Sequence, residues 1–271
     1  MPTARVGCFQ IIHWNDKDRE APDNPRDPAG LQYIASVRKE LVNIAHSQAG
    51  RALIDSIFYH KKTITIMPSP ENVCNAAEEK SGTDGSLILF SPDDLRKCSA
   101  ELGPNDRSAT LPHERLHHEL VHSLRRISGK INPFPINGQR LSAFGQNEEF
   151  LAIVMTNIFI SDVSNKHRTS LRGAWGNHPK LEEEFAESFR FFSLDPGVYN
   201  LLWSFCSDNR GYANLLSYVN APFNPVAAIL RDSRKCFEIS AMAMDREAFD
   251  EMYWDHVKKG MKPLGTPPSG T

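Results

Sequence analysis

Within the run Leu116-His117-His118-Glu119-Leu120-Val121-His122-Ser123-Leu124, residues His118, Glu119 and His122 form an H-E-x-x-H pattern. On a helix, residues four apart lie one above the other on the same face. Two imidazoles at that spacing can bind one metal ion, and the glutamate between them can reach a water held by the same ion. The chemistry this implies is hydrolysis, with zinc as the metal. No other pattern in the 271 residues prescribes a reaction. The bland alternative is a chance motif on a solvated helix.

The surrounding residues favour a helix that crosses a core. Thr110 suits an N-cap, Pro112 a first turn, and Gly129 a C-terminal stop. Both wild-card residues, Leu120 and Val121, are apolar. The motif is doubled, however, because His113-Glu114-Arg115-Leu116-His117 has the same form. The apolar stripe of the helix runs Leu116, Leu120, Leu124, Ile127, and His113 and His117 fall along it. His118 and His122 sit about 200° round from Leu116, at about 100° per residue. The second copy is therefore the expected site, and His117 a packing or supporting residue.

Catalytic zinc keeps three protein ligands and leaves one position open. The segment Gln146-Asn147-Glu148-Glu149-Phe150-Leu151-Ala152 opens a strongly apolar helical stretch, Phe150 to Ile160. A helix packed on the first could place a carboxylate beside the two imidazoles. Glu149 is the expected ligand, because small Ala152 three positions later lets the helices approach closely. Glu148 is the alternative. Both glutamates also read as first-turn residues favoured by the helix dipole.

The remaining elements must position this pair of helices. Arg5 to Ile12 reads as a short strand, and Asn15 to Gly30, with Pro22, Pro25 and Pro28, as a loop or mobile arm. Leu31, Ile34, Val37, Leu41 and Ile44 fall at helical spacing, with Gly50 as the stop. Thr63 to Met67 and Leu87 to Phe90 read as strands. Ser91 with Asp94 suggests a short capped helix, and Lys97 to Ala109 a polar loop. Beyond residue 163 the chain reads as polar until a helix over Leu181 to Phe192. Short apolar segments follow at Tyr199 to Cys206, Asn214 to Val219 and Val226 to Leu230, then an amphipathic helix over Ala241 to Lys259.

The expected organisation is an N-terminal strand and mobile arm (1–30), a catalytic core (31–162), a helical part completing the cleft (163–259) and a disordered tail (260–271). The class is α+β, helix-rich, with a small mixed sheet beside the metal-binding helix.

Composition bounds the function. A net charge of -2 gives no basic field for nucleic acid. The longest apolar stretch, Phe150 to Ile160, is too short to span a bilayer. Cys8, Cys74, Cys98, Cys206 and Cys236 are widely spaced, odd in number and form no C-x-x-C, which argues for a reducing compartment rather than a disulfide framework. Met1 to Gln10 lacks an apolar signal core.

His118-Glu119-x-x-His122, followed by Asn147-Glu148-Glu149-Phe150-Leu151-Ala152, resembles the gluzincin arrangement, in which a second helix supplies a glutamate ligand ahead of a small residue. Upstream, a helix ending near Gly50 precedes the strand Thr63-Ile64-Thr65-Ile66. Gly82-Thr83-Asp84-Gly85-Ser86 then leads into Leu87-Ile88-Leu89-Phe90 and a Ser91-Pro92 turn. That order resembles the NleD-type effector peptidases, zinc metalloproteases that bacterial pathogens inject into host cells. The resemblance covers roughly residues 30 to 162. This chain departs from it in the doubled histidine motif and in the C-terminal region, so substrate choice is not carried over.

The resemblance implies a zincin-like fold and a zinc endopeptidase. His118, His122 and Glu149 would hold the metal, and Glu119 would be the general base. It also implies a chain made in a bacterial cytoplasm and delivered, without a cleaved signal peptide, to cut a protein in the cytoplasm of a host or competitor cell. Tyr199, Tyr212, His178 and Arg172 are unranked candidates for stabilising the oxyanion. The contrasting readings are a metal-binding interaction protein on an inactive zincin scaffold, and a hydrolase or deaminase acting on a small molecule.

Overall fold

The computed structural model of the chain describes residues 3–12, 28–69, 76–79, 85–92, 111–132, 134–135, 141–164, 185 and 187–243. Its N-terminal strand region is a hairpin rather than one strand. β1 (Thr3–Val6) and β2 (Phe9–Ile12) pair antiparallel, with Val6 opposite Phe9. Gly7 turns the chain at φ +58°, a conformation that costs glycine little, so Arg5 to Ile12 cannot run straight.

β2 then pairs parallel with β3 (Ile64–Met67), and β3 parallel with β5 (Ser86–Leu89). β4 (Ala76–Glu79) lies antiparallel outside β5, giving a mixed sheet in the order β1-β2-β3-β5-β4. The parallel step from β2 to β3 needs a long crossover. Two helices supply it, α1 (Pro28–Ala45) and α2 (Gln48–Tyr59).

Gly50 does not stop a helix. It sits in the first turn of α2, where its N–H donates to the Oγ of the N-cap Ser47 at 2.8 Å. A Cβ at Gly50 would come within 2.0 Å of the Ile44 carbonyl oxygen, so glycine is there to let the two helices meet. The Asp162 carboxylate accepts the next orphan donor, the Ala49 N–H, at 2.9 Å. α1 also begins earlier than its apolar periodicity implies, with Pro28 as its first residue, so the segment up to Gly30 is not all loop.

The two central helices are α3 (Pro112–Ile127) and α4 (Asn147–Ser164). α3 touches α1, α2, α4, β4 and β5. That explains why its polar residues are buried along with Leu116, Leu120, Leu124 and Ile127. Its N-cap is Leu111, and the Glu114 side chain accepts the Leu111 N–H at 3.1 Å. Thr110 lies outside the described residues. Gly129 (φ +68°) ends the helix: its N–H donates to Arg126 and the Lys130 N–H to Arg125, the paired bonds of a Schellman motif.

α4 is apolar on all sides, and every residue from Phe150 to Ser161 is buried. A short 3-10 turn, Leu141–Phe144, precedes it.

Behind α4 lie a 3-10 turn (Arg190–Ser193) and four helices: α5 (Gly197–Asp208), α6 (Arg210–Ser217), α7 (Pro225–Arg231) and α8 (Ser233–Met242). The helix expected over Leu181 to Phe192 is not formed in its described part, which is turn and 3-10. There Phe191 and Phe192 bury against Phe150, Phe223 and Tyr199 rather than along one helical stripe. The three short apolar segments are α5, α6 and α7, and a single apolar core runs from Phe9 to Cys236.

The expected short helix at Ser91 and Asp94, the loop to Ala109, nearly all of Ala241 to Lys259 and the tail from 260 lie largely or wholly outside the described residues. Among the described residues, no helix is long and apolar enough to cross a membrane.

Candidate metal centre

Contacts between α3 and α4 progress in opposite directions along the two helices. His113 meets Phe159, His117 meets Thr156, His122 meets Glu149, and Arg125 meets Glu148. The helices are therefore antiparallel, and the start of α4 faces the last turns of α3.

At that end three donors converge. The Nε2 atoms of His118 and His122 lie 3.0 Å apart. Glu149 Oε1 is 3.3 Å from the first and Oε2 3.4 Å from the second. Zinc bonds of about 2.0–2.2 Å at tetrahedral angles put ligand atoms about 3.3–3.5 Å apart. The observed separations are close to that, and the donor set of two imidazoles and one carboxylate suits a divalent cation. His118, His122 and Glu149 thus form a group that could hold a metal ion.

Exposure grades across the group. The His118 side chain is 1% exposed, His122 13% and Glu149 25%, so the group is anchored in the core and opens to solvent on the Glu149 side. Glu119, the next residue after His118, is buried at 1%.

The first motif copy is used otherwise. His117 is fully buried, pairs through Nδ1 with Thr156 Oγ1 at 3.2 Å, and stacks on Phe159 with centroids 4.4 Å apart. Burial, with lesser contributions from His118 and His113, pushes its pKa down to about 3, so it is neutral at ordinary pH. His113 faces Glu40 of α1 at 3.4 Å. The apolar stripe thus carries His113 and His117 into packing contacts.

Glu148 and Glu149 separate just as cleanly. The Glu148 carboxylate is buried and accepts from Arg125 Nε at 3.1 Å, from Arg125 Nη2 at 3.3 Å and from the Asn132 backbone N–H at 3.1 Å. Its Oε1 is 3.9 Å from His122 Nδ1, outside hydrogen-bond range. Arg125, itself 2% exposed, lies over the Phe205 ring at 5.5 Å.

This buried pair was missed from the sequence. Its signal there was faint: an arginine three positions beyond His122, on the same helix face, and a second glutamate beside the first.

The tyrosines considered for the oxyanion are engaged elsewhere or enclosed. Tyr199 OH pairs with Ser233 Oγ at 2.9 Å, between α5 and α8. Tyr212 is 2% exposed and packs edge-on against Phe205. Burial raises both hydroxyl pKa values, Tyr199 to about 12. Arg172 and His178 lie outside the described residues.

On the sheet side, Ser86 Oγ and Ser123 Oγ are 2.9 Å apart, tying the start of β5 to α3 just past His122.

In comparison with known proteins, no family model and no curated protein matches this chain.

Proposed function

We propose that this protein is a zinc-dependent endopeptidase. The observation that carries the reading is the convergence of His118, His122 and Glu149 from two antiparallel buried helices, with Glu119 inside the H-E-x-x-H turn. Bound by these three residues, zinc would lower the pKa of a coordinated water toward about 7 and polarise the carbonyl to be cut.

The chain's own residues do the rest. Glu119 takes a proton from the attacking water and passes it to the departing amine. His118 is held in the core, while the more exposed Glu149 lies on the side where substrate and water can enter. Burying a carboxylate costs free energy, and in the proposed reaction that buried carboxylate serves as the base beside the metal group.

The sheet supports a peptide as substrate. Among the described residues β4 is an edge strand, and α3 lies beside both β4 and β5. An edge presents unpaired backbone donors and acceptors, and an extended peptide can add to it as a further strand. The zincin-like and NleD-type resemblance points the same way. It is also the ground for reading the protein as a bacterial effector that cuts a protein in another cell's cytoplasm.

The test is to incubate zinc-loaded wild type and Glu119→Gln with a native cell extract and map new peptide termini by mass spectrometry. New termini with wild type, absent with Glu119→Gln and after chelation, support the reading. An unchanged set of termini with loaded wild type sinks it.

A further inference from the structure

We propose that Arg126 is a specificity-determining residue that binds a carboxylate of the peptide to be cut; the inference rests on the endopeptidase reading above. α3 carries three arginines, Arg115, Arg125 and Arg126. Arg115 donates through Nη2 to the Pro92 carbonyl at 3.2 Å and lies over the Phe90 ring. Arg125 is held by Glu148. Arg126 differs from both. Its Nε is shut off from water and meets no hydrogen-bond acceptor, and no carboxylate pairs with it among the described residues.

Helical geometry puts this arginine on the metal face of α3. At about 100° per residue, Arg126 lies about 40° round from His122 and about 20° from Glu119. α4 covers one flank of that face, through its contacts to His117, His118 and Arg125. β5 meets the other flank, where Ser86 joins Ser123. His118, His122, Arg126 and Glu119 therefore share the strip of α3 between α4 and the sheet. One turn past His122, Arg126 stands about 6 Å further along the axis, the length of about two residues of extended peptide.

A guanidinium keeps its charge at any working pH and offers five donors in a planar fork that matches a carboxylate. The helix dipole also favours a cation in the last turn, but that role is met by an exposed side chain. Arg126 is half-buried, and drawing a cation from water without an acceptor costs free energy. A substrate carboxylate within about three residues of the cut bond supplies that acceptor. It belongs either to an aspartate or glutamate side chain or to the C-terminus of the peptide.

The experiment starts from the sites that zinc-loaded wild type cuts in a native cell extract. Peptides spanning those sites are synthesised with acidic residues kept or replaced by their amides, and with free or amidated C-termini. Wild type should cut the carboxylate-bearing peptides about 10–100-fold faster, in kcat/KM, than their neutral counterparts. Arg126→Met should keep the wild-type zinc content and circular dichroism and lose that preference, mainly through KM. Arg126→Lys should recover part of it as a point charge. A preference abolished by amidating the C-terminus supports the terminal carboxylate, and one that survives amidation supports the side chain.

Cut sites with no carboxylate within about three residues overturn the inference and leave the endopeptidase reading intact. A folded Arg126→Met with the wild-type preference does the same. An extract in which wild type cuts nothing overturns both. Should Arg126→Met fail to fold, the mapped sites and the wild-type rates decide.

Discussion

The imidazole of His117 lies flat on the ring of Phe159, with 4.4 Å between centroids and 14° between planes. Its immediate neighbour His118 turns instead toward Glu149 at 3.3 Å. One residue of helical rotation separates a packing histidine from a member of the group that could hold a metal ion. His113→Ala should accordingly leave zinc affinity unchanged and cost stability by about 1–3 kcal/mol, since it takes a partner from the buried Glu40 carboxylate and a ring contact from Phe159. Chelator competition and urea unfolding check both parts. A large loss of affinity would mean that the first motif copy supplies a ligand.

Glu119→Gln should retain the wild-type zinc stoichiometry and lose about 10²–10⁴-fold in turnover, because it keeps the shape of the side chain and removes the base. His122→Ala should lose the metal itself. Elemental analysis of the purified variants separates the two roles. Cleavage retained by Glu119→Gln would remove the general-base assignment.

Glu149→Gln should weaken zinc binding more than Glu148→Gln does. The first removes a charged donor facing both Nε2 atoms, the second a carboxylate that Arg125 already engages. Isothermal titration with zinc on the two variants gives the order, and a reversed order would exchange their roles.

His117 predicts a pH dependence of stability in the metal-free protein. Its folded pKa, pushed down to about 3, lies below the unfolded value of 6.5. Between those values the unfolded chain binds a proton that the folded chain refuses, so stability falls as pH drops below about 6.5. One such group contributes a slope of about 1.4 kcal/mol per pH unit in that window and none above it. Denaturant midpoints of wild type and His117→Asn from pH 7.5 to 5 measure it. An unchanged slope in the variant would show that His117 is not the source.

Two glycines should respond differently to alanine. Gly50→Ala forces a Cβ to 2.0 Å from the Ile44 carbonyl oxygen, so it should cost at least about 1–3 kcal/mol despite alanine's better helix propensity. Gly129→Ala meets nothing within 4 Å and bears only the left-handed backbone, about 1–2 kcal/mol. Urea midpoints rank them, and equal costs would contradict the close approach of α1 and α2.

Much of the fold is legible in local pattern. The spacing of Leu116, Leu120, Leu124 and Ile127 gives α3 and its buried face, and Gly129 marks its end. The apolar run from Phe150 gives α4. Thr63 to Met67 and Leu87 to Phe90 read as strands because β-branched and apolar residues cluster between polar turns, and β3 and β5 form there with ends shifted by one residue. Gly50 misled because a glycine after an apolar helix resembles a stop, whereas here it serves a helix-to-helix contact that no local window contains. The hairpin at Gly7 was hidden inside an eight-residue run with no second turn residue. The helix expected over Leu181 to Phe192 gave way where the phenylalanines bury against several different elements.

The sequence by itself determined the donor types and their spacing: two histidines one helical turn apart, a glutamate between them, and a pair of glutamates at the head of the next long helix. These follow from the chain's own periodicity, which needs no partner. The apolar stripe pointed to His118 and His122, and small Ala152 to Glu149, but whether these three converge, with Glu148 held aside, only the tertiary structure decided. The choice depends on the antiparallel docking of α4 on α3, on Arg125 engaging Glu148, and on Phe159 and Thr156 engaging His117. Those contacts join residues far apart in the chain, and their geometry comes from packing rather than from any local preference.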